Sequence, residues 1–266
     1  MFGLLALYAF AVGACVGSFL NVVIYRYPLG QSIVFPRSRC PRCGAAIAWF
    51  DNIPILSFLI LRARCRRCRN PISVRYPLVE ASNALLYLAI FVRTGPTVGS
   101  LLLAALVSMT IALIFIDADV QLLPDAIDLP GVAIALALSI LPSKPASLVL
   151  APNLAQSVLG ALVGAGLLLA IAYLYRWTRG IDGMGLGDVK MLAMIGAVLG
   201  VGAIFAVLLL ASVAGALIGV VIMLAGRSRN LQFALPFGVF LGLAFLTVLF
   251  FGNELYALLP ALRFLS

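Results

Sequence analysis

Residues 99–125 read GSLLLAALVSMTIALIFIDADVQLLPD, an apolar run that ends in several aspartates and a proline. A helix of about 20 apolar residues crosses the roughly 30 Å hydrocarbon core of a bilayer. Residues 99–116 are therefore predicted to span a membrane, and Pro124 should break the helix beyond them. An ionisable side chain beside a span is energetically costly, which makes Asp117 a candidate functional residue.

The same apolar pattern recurs along the chain and predicts an all-α polytopic membrane protein. Of the 266 residues, 64% are hydrophobic and 10% are charged, which excludes a soluble globular enzyme. We predict about eight membrane helices, at residues 2–25, 77–92, 99–116, 127–142, 156–175, 189–200, 202–225 and 234–252. The sixth is short, and the pattern leaves open where the helix breaks between glycines 200 and 202.

The longest polar segment lies between Arg26 and Arg75. It holds ten arginines, five prolines and one acidic residue, Asp51, and its only apolar run, residues 53–61, is too short to span a membrane. We expect a small extramembrane domain here, inserted between the first two helices. The chain is thus divided into a first membrane helix (1–26), the insert (27–76) and a helical membrane domain (77–266).

The basic residues predict the orientation of the chain in the membrane. The net charge of +9 is typical of some nucleic-acid-binding proteins, but these residues lie between apolar spans. With a cytoplasmic insert, 15 of the 18 basic residues face inward, as the positive-inside rule requires. We therefore predict that the chain contacts the lipid bilayer and no nucleic acid, with both termini outward. Ten of these inward residues are the arginines from Arg26 to Arg75, and the other five are Arg176, Arg179, Lys190, Arg227 and Arg229.

Four cysteines of the insert follow a metal-binding pattern. Cys40-Pro-Arg-Cys43 and Cys65-Arg-Arg-Cys68 form a C-x2-C…C-x2-C array. Four thiolates complete the tetrahedral coordination of Zn²⁺ and leave no open position, so we predict a structural zinc site. Two disulfides are the alternative, which a reducing cytoplasm disfavours. The remaining cysteine, Cys15, is expected to be a small core residue of the first span.

Two aspartates that are distant in the sequence are candidates for acid–base chemistry. Asp117 ends the third span and Asp188 opens the sixth, and the predicted topology puts both at the cytoplasmic face. Two close carboxyl groups in a partly desolvated site share one proton, so one takes a proton from water while the other polarises a peptide carbonyl. Glycines 185 and 187 would allow an extended peptide to approach. Alternatively, Asp188 only caps a helix.

Other charged residues near the spans have simpler interpretations. Asp119, Asp125 and Asp128 are expected to be solvated loop carboxylates. Lys190 either pairs with a carboxylate or substrate, or extends to the membrane interface. Glu80, about one turn into the second span, should face the bundle interior or an arginine and have a structural role.

Several separated segments together resemble the bacterial type IV prepilin peptidases, the leader peptidase/N-methyltransferases of pilus and type II secretion systems. The resemblance covers nearly the whole chain, and the closing Ala234-Leu-Pro-Phe-Gly238 also fits it. It implies an intramembrane aspartic endopeptidase of the GxGD type, with Asp117 and Asp188 as its catalytic residues. The segments that carry it are Gly17-Ser-Phe-Leu-Asn-Val-Val-Ile-Tyr-Arg26, the paired C-x2-C insert, Arg75-Tyr-Pro-Leu-Val-Glu80, residues 117–125 and Gly183-Met-Gly-Leu-Gly-Asp-Val-Lys190.

Enzymes of this kind cut a short basic leader from prepilins and pseudopilins at the cytoplasmic face of the inner membrane. They then methylate the new N-terminus with S-adenosylmethionine, and members with the cysteine-bearing insert are generally bifunctional. S-adenosylmethionine is therefore implied by the resemblance alone. Because the leader is basic, we expect acidic groups such as Asp119, Asp125 or Asp182 to contact it.

Two other functions fit the same residues when the resemblance is set aside. A transporter or ion channel would use Asp117 and Asp188 as ion-coupling carboxylates. It would show ion flux and no peptide cleavage. A non-catalytic adaptor would dock a partner through the zinc domain, and neither aspartate would then be needed.

Overall fold

The computed structural model describes residues 1–142, 144–180, 185–225 and 235–258. These residues are almost entirely helical, with two isolated β-bridges in the cysteine insert. The α-helices are α1 (Phe2–Arg26), α2 (Leu56–Ile60), α3 (Arg75–Thr94), α4 (Val98–Val120), α5 (Asp125–Ile140), α6 (Leu154–Arg179), α7 (Leu186–Leu199), α8 (Val201–Leu224) and α9 (Phe237–Leu258). Short 3-10 helices occur at Tyr27–Leu29 and Trp49–Asn52.

Each of the eight predicted spans corresponds to one long helix in the described residues. Five of these helices are long and apolar enough, by length and composition, to cross a membrane: α1 with the turn after it, α4, α6, α8 and α9. The break that the sequence left open lies at Gly200, whose φ of 86° separates α7 from α8. The predicted fold class, a polytopic helical membrane protein with a four-cysteine insert between its first two long helices, is confirmed.

The chain forms two compact units, Met1–Ala112 and Leu113–Ser266, with the boundary inside α4. In the first unit, α1 packs along α3 through Gly13 and Gly17, a G-x-x-x-G pair that allows two helix backbones to approach closely. A Cβ on Gly17 would lie 2.7 Å from the Cα of Glu80. Asn83 of α3 donates a hydrogen bond to the carbonyl of Gly13 at 2.8 Å, which links the two helices.

In the second unit, the short helix α7 is buried on nearly all sides beyond Lys190, which explains why its sequence is apolar from Met191 to its end. It packs closely on α6, because a Cβ on Gly160 would collide with the carbonyl oxygen of Gly196. One turn further along, a Cβ on Gly164 would lie 2.6 Å from the carbonyl oxygen of Leu192. The first turn of α7, which carries Asp188, is therefore held by the packed interior of the unit.

Candidate active site

Asp117 lies in the last turn of α4, where it is only 4% exposed. Its Oδ2 accepts a hydrogen bond from the N–H of Val239 at 3.0 Å, and the N–H of Gly238 also donates to it. Both donors belong to the first turn of α9, where backbone N–H groups have no partner within the helix. The carboxyl group of Asp117 thus accepts hydrogen bonds from the free N–H groups at the start of α9. These hydrogen bonds in turn fix the position of the carboxyl group.

Asp188 lies in the first turn of α7, whose N-cap residue is Gly185. No side chain caps this helix, so Asp188 is not the N-cap residue that the alternative interpretation of the sequence required. It is partly buried and interacts electrostatically with Asp117. The second unit therefore brings together the two aspartates that the sequence pointed to, although they belong to helices distant in the chain.

Leu123, a buried residue in the loop after α4, leaves no room for a side chain at two positions near this pair, and both positions are glycines. A Cβ on Gly187 would lie 2.7 Å from the Cβ of Leu123. A Cβ on Gly238 would lie 2.9 Å from Oδ2 of Asp117 and 3.0 Å from Cδ1 of Leu123. Gly187 was expected to leave room for an extended peptide, but its α-carbon faces Leu123. Both glycines allow the starts of α7 and α9 to pack around this loop.

Three further aspartates lie nearby, and one of them differs from the sequence prediction. Asp119 and Asp125 are exposed as expected, and Asp125 accepts a hydrogen bond from Lys190 Nζ at 2.6 Å. Lys190 therefore pairs with a carboxylate, which is one of the two roles predicted for it. The expectation of a solvated Asp128 is wrong, because α5 begins at Asp125 and places Asp128 one turn inside the helix, where it is 0% exposed.

Some sequence predictions fall outside the residues that the structure describes. They concern Asp182 as a leader contact, the glycine that opens the Gly183–Lys190 segment, and three arginines used for the topology. Their roles stay predictions. The residues are Asp182, Gly183, Arg227, Arg229 and Arg263.

The four cysteines of the insert converge within the first unit. Their Sγ atoms all lie within 4.8 Å of one another, and those of Cys40 and Cys68 are 3.8 Å apart. A tetrahedron of sulfurs with Zn–S bonds of about 2.3 Å has edges of about 3.8 Å, so the set fits a zinc ion. All four are free thiols, and the disulfide alternative is not what the structure contains. Cys43 and Cys65 complete the set.

Each C-x-x-C pair forms a tight turn with the same backbone hydrogen bond. The N–H of Gly44 donates to the carbonyl of Cys40 at 2.9 Å, and the N–H of Arg69 donates to that of Cys65 at 3.0 Å. Gly44 and Arg69 both have left-handed φ angles, 68° and 58°. The two halves of the site are therefore built alike, as expected for two turns that supply one metal with ligands.

The turns also favour the thiolate form of the first cysteine in each pair. Hydrogen bonds from the backbone N–H groups of Cys43 and Arg42 lower the pKa of Cys40 to about 6. A hydrogen bond from the N–H of Cys68 likewise lowers the pKa of Cys65. Because the thiolate is the form that binds metals, the backbone prepares both residues for ligation.

Glu80 is a structural residue whose partner the sequence did not indicate. Its Oε2 accepts a hydrogen bond from the N–H of Ile55 at 2.7 Å, and the hydroxyl of Ser18 also donates to it. Ile55 has a φ of 63°, a conformation that is unfavourable for a β-branched residue. Glu80 therefore faces the interior, as predicted, where it ties the insert to α3 and holds a strained backbone position.

Comparison with known proteins identifies the family. Residues 11–94 match the bacterial peptidase A24 N-terminal domain, and residues 104–220 match the type IV leader peptidase family. A prepilin leader peptidase/N-methyltransferase of Burkholderia pseudomallei (strain 1026b) is 36% identical over 282 residues, 97% of this chain and 89% of the relative. This chain belongs to the type IV leader peptidase family.

Other relatives in the type IV leader peptidase family carry the same name. That of Pseudomonas putida is 40% identical over 271 residues, 94% of this chain and 91% of the relative. That of Myxococcus xanthus (strain DK1622) is 45% identical over 226 residues, 85% of this chain, and the match spans 65% of the relative's length. No solved structure matches this chain. The relatives named here are peptidases, so the comparisons give the transporter alternative no support.

Proposed function

We propose that this chain is a prepilin leader peptidase/N-methyltransferase of the bacterial inner membrane. It cleaves the leader from type IV prepilins and type II secretion pseudopilins and then methylates the new N-terminus. The proposal is supported above all by the proximity of Asp117 and Asp188 in a chain of the leader peptidase family. The arginine distribution supports an orientation in which the insert and the active site face the cytoplasm.

Asp117 acts as the general base in this mechanism. Two backbone N–H groups donate to it, and the N-terminus of α9 favours a negative charge at this position. Among the described residues, none donates a hydrogen bond to Asp188. Of the two carboxyl groups, Asp188 is therefore the one that keeps the shared proton and acts as the general acid.

The two roles complete a hydrolysis in which all protons are accounted for. Asp117 takes a proton from a water molecule whose oxygen attacks the carbonyl carbon, while Asp188 gives its proton to the carbonyl oxygen. The tetrahedral diol then collapses and the C–N bond breaks. Asp117 gives its proton to the leaving nitrogen, and Asp188 recovers one from a diol hydroxyl group. The pair returns to its starting state.

The insert and the methyl donor complete the proposed function. Cys40, Cys43, Cys65 and Cys68 hold a structural zinc ion. S-adenosylmethionine, when bound, supplies an electrophilic methyl group for the new amine. Methylation is supported by the names of the relatives, which pair the two activities.

The proposal is tested with the purified full chain in lipid nanodiscs, a prepilin substrate and labelled S-adenosylmethionine. Leader loss and methyl incorporation are followed separately by mass spectrometry. Asp117→Asn and Asp188→Asn should each abolish cleavage while helical content and melting temperature stay unchanged. Glu254→Gln removes an exposed carboxyl group from α9 and should leave cleavage intact.

The outcomes separate the alternatives. Cleavage that persists in either aspartate variant would refute the assignment of the pair. Leader loss without methyl incorporation would support the peptidase activity and refute the methyltransferase activity. Ion flux into proteoliposomes without any cleavage would instead support a transporter.

A further inference from the structure

The short helix α2 carries an exposed apolar face inside the polar insert. Leu56, Leu59 and Ile60 recur at the spacing of one helix face, and they are 55%, 64% and 73% exposed. The opposite side of α2 packs on the insert, because Ser57 is buried and its hydroxyl donates to the carbonyl of Phe50 at 3.0 Å. An exposed apolar cluster on a polar domain is typical of a docking surface or a membrane contact.

The position of α2 beside the long helices indicates what covers this face. Ile55, the residue before α2, donates its N–H to Glu80 of α3 at 2.7 Å. Glu80 lies five residues inside α3, about 7–8 Å along the helix axis from Arg75. Glu80 also packs on Gly17, nine residues before the end of α1 at Arg26. Because α1 is apolar enough to cross a membrane, α2 begins level with a membrane span and not beyond its end.

Next to the apolar face, the insert forms a cavity with a strongly basic wall. The cavity is lined by Ile60, Leu61, Arg62, Arg64, Arg66 and Arg69. Its volume of about 640 Å³ is within the range of small-molecule sites. Asp51 is the one carboxylate in the sequence of the insert, and Arg66 binds it with two hydrogen bonds of 2.6 and 2.8 Å. Among the described residues, no carboxylate pairs with the other three arginines of the cavity.

We propose that α2 lies in the membrane interface and that the arginines beside it bind the phosphate groups of anionic phospholipids. In the interface, acyl chains cover the apolar face of a helix and nearby basic residues attract anionic headgroups. Guanidinium groups suit phosphates because they donate paired hydrogen bonds. The apolar run of residues 53–61 is too short to span a membrane, which fits an interfacial segment. The inference does not rest on the proposed function, because it concerns only how the insert contacts the bilayer.

The first test measures whether α2 enters the bilayer. Leu59→Trp is introduced into the full chain together with Trp49→Phe and Trp177→Phe, which remove both native tryptophans. The chain is placed in nanodiscs whose lipids carry bromine on the acyl chains close to the headgroup. Bromine at this depth should strongly quench the fluorescence of Leu59→Trp. It should quench Gln31→Trp only weakly, because Gln31 is an exposed polar position of the insert outside α2.

The second test uses the same fluorescence to measure lipid preference. Brominated phosphatidylglycerol and brominated phosphatidylcholine are compared at equal mole fraction, and the ratio of their quenching gives the preference for the anionic lipid beside α2. Phosphatidylglycerol should be preferred. The double variant Arg62→Gln, Arg64→Gln should lower this preference by about fivefold for each arginine lost.

The other cysteine turn supplies the matched control, the double variant Arg39→Gln, Arg42→Gln. It removes the same charge from exposed positions outside the cavity and should leave the preference unchanged. Arg39 corresponds to Arg64, because each precedes the first cysteine of its turn and forms an isolated β-bridge across that turn. Zinc content and melting temperature identify any variant that fails to fold. Leu56→Trp, on the same face of α2, then replaces Leu59→Trp.

Two results would overturn the inference. If Leu59→Trp is quenched no more than Gln31→Trp, α2 lies clear of the bilayer and its exposed face contacts something other than lipid. If the variant of Arg62 and Arg64 keeps the preference for phosphatidylglycerol, or if the control variant loses as much, the cavity does not bind the headgroup.

Discussion

The position of Asp117 depends on a backbone contact that only glycine permits. A Cβ on Gly238 would lie 2.9 Å from Oδ2 of Asp117, the atom that accepts the N–H of Val239. Gly238→Ala should displace the carboxyl group and lower single-turnover cleavage about 100-fold or more, because small misplacements of catalytic groups have effects of that size.

Gly166→Ala is the matched control for this variant, because a Cβ at Gly166 has no atom within 4 Å among the described residues. It should cleave at the wild-type rate. If Gly238→Ala cleaves at the wild-type rate with unchanged helical content, catalysis does not require the present position of the Asp117 carboxyl group.

Glu80 provides a second test, this time of stability. Glu80→Ala removes the acceptor of the Ile55 N–H, and a buried donor without a partner costs about 1–3 kcal/mol. The melting temperature should fall accordingly. Glu80→Gln keeps an oxygen at the same distance from the backbone, so its melting temperature should fall less. Equal losses in the two variants would mean that the hydrogen bond to Ile55 is unimportant.

Individual residues also show what could and could not be predicted from the sequence. Asp117 and Asp188 were recognisable because a charged group beside an apolar run is costly and therefore rare. The partners of Glu80 and Lys190 were not, because both contacts join residues distant in the chain. Asp128 was misjudged because its burial depends on where α5 begins, and hydropathy fixes a helix start only to within a few residues.

At the scale of helices, the contact between α6 and α7 makes a clear prediction about two glycines. A Cβ on Gly160 would collide with the backbone of Gly196, whereas a Cβ on Gly166, on the same helix, would have no described atom within 4 Å. Gly160→Ala should therefore force the helices apart and lower the melting temperature. Gly166→Ala should be neutral or stabilising by up to about 1 kcal/mol, because alanine favours helices more than glycine does.

Thermal unfolding in nanodiscs, followed by circular dichroism, compares the two variants directly. The substitution is chemically identical in both, so helix propensity cancels in the comparison. Equal melting temperatures would show that the two helices are not in close contact at Gly160.

The paired turns of the insert predict how the metal stabilises this element. Cys68→Ser removes one of four converging ligands and should eliminate bound zinc, measured by mass spectrometry of the metal content. Amide hydrogen exchange should rise across residues 38–71, because metal binding stabilises the folded form of such small domains. Cys15→Ser, outside the metal set, should change neither quantity. Zinc content that is unaffected by Cys68→Ser would refute the site.

For the cysteine insert, the sequence predicted the four ligands but not the backbone conformation of its two turns. The C-x2-C spacing fixed the ligands, because two sulfurs of one tight turn reach the same ion. The spacing did not indicate that Arg69 occupies the left-handed position that Gly44 occupies in the other turn. An arginine tolerates that conformation at a cost of about 1 kcal/mol, so the sequence pattern gives no sign of it.

For the molecule as a whole, the arginine distribution makes a prediction about topology. The insert should face the cytoplasm, and the loop between α5 and α6 should face outward. In intact cells, a membrane-impermeant thiol reagent should label Ser147→Cys, while Gln31→Cys should gain label only after permeabilisation. The reverse pattern would invert the chain and contradict a cytoplasmic active site. The unsubstituted chain gives the background from the native cysteines.

Within the described residues, hydropathy was sufficient to predict the eight long helices, because lipid demands long, uninterrupted apolar segments. It said little about how these helices pack, because most residues on every face of them are apolar. Pairings such as α1 with α3, or α6 with α7, depend on where glycines permit close approach. In a membrane, small residues rather than hydrophobic contrast identify the neighbours of a helix.

One further consequence follows from Cys15, which was expected to be a core residue; that expectation is wrong, because Cys15 lies on an exposed face of α1, apart from the metal-binding four. With zinc in place, it is the one thiol left for a probe, so the natural chain needs no engineering before spectroscopy. A paramagnetic tag at this position would enter a cavity that Arg26 and Trp49 also line. Its collision rates with oxygen and with a water-soluble nickel chelate would then measure how far water reaches into this cavity.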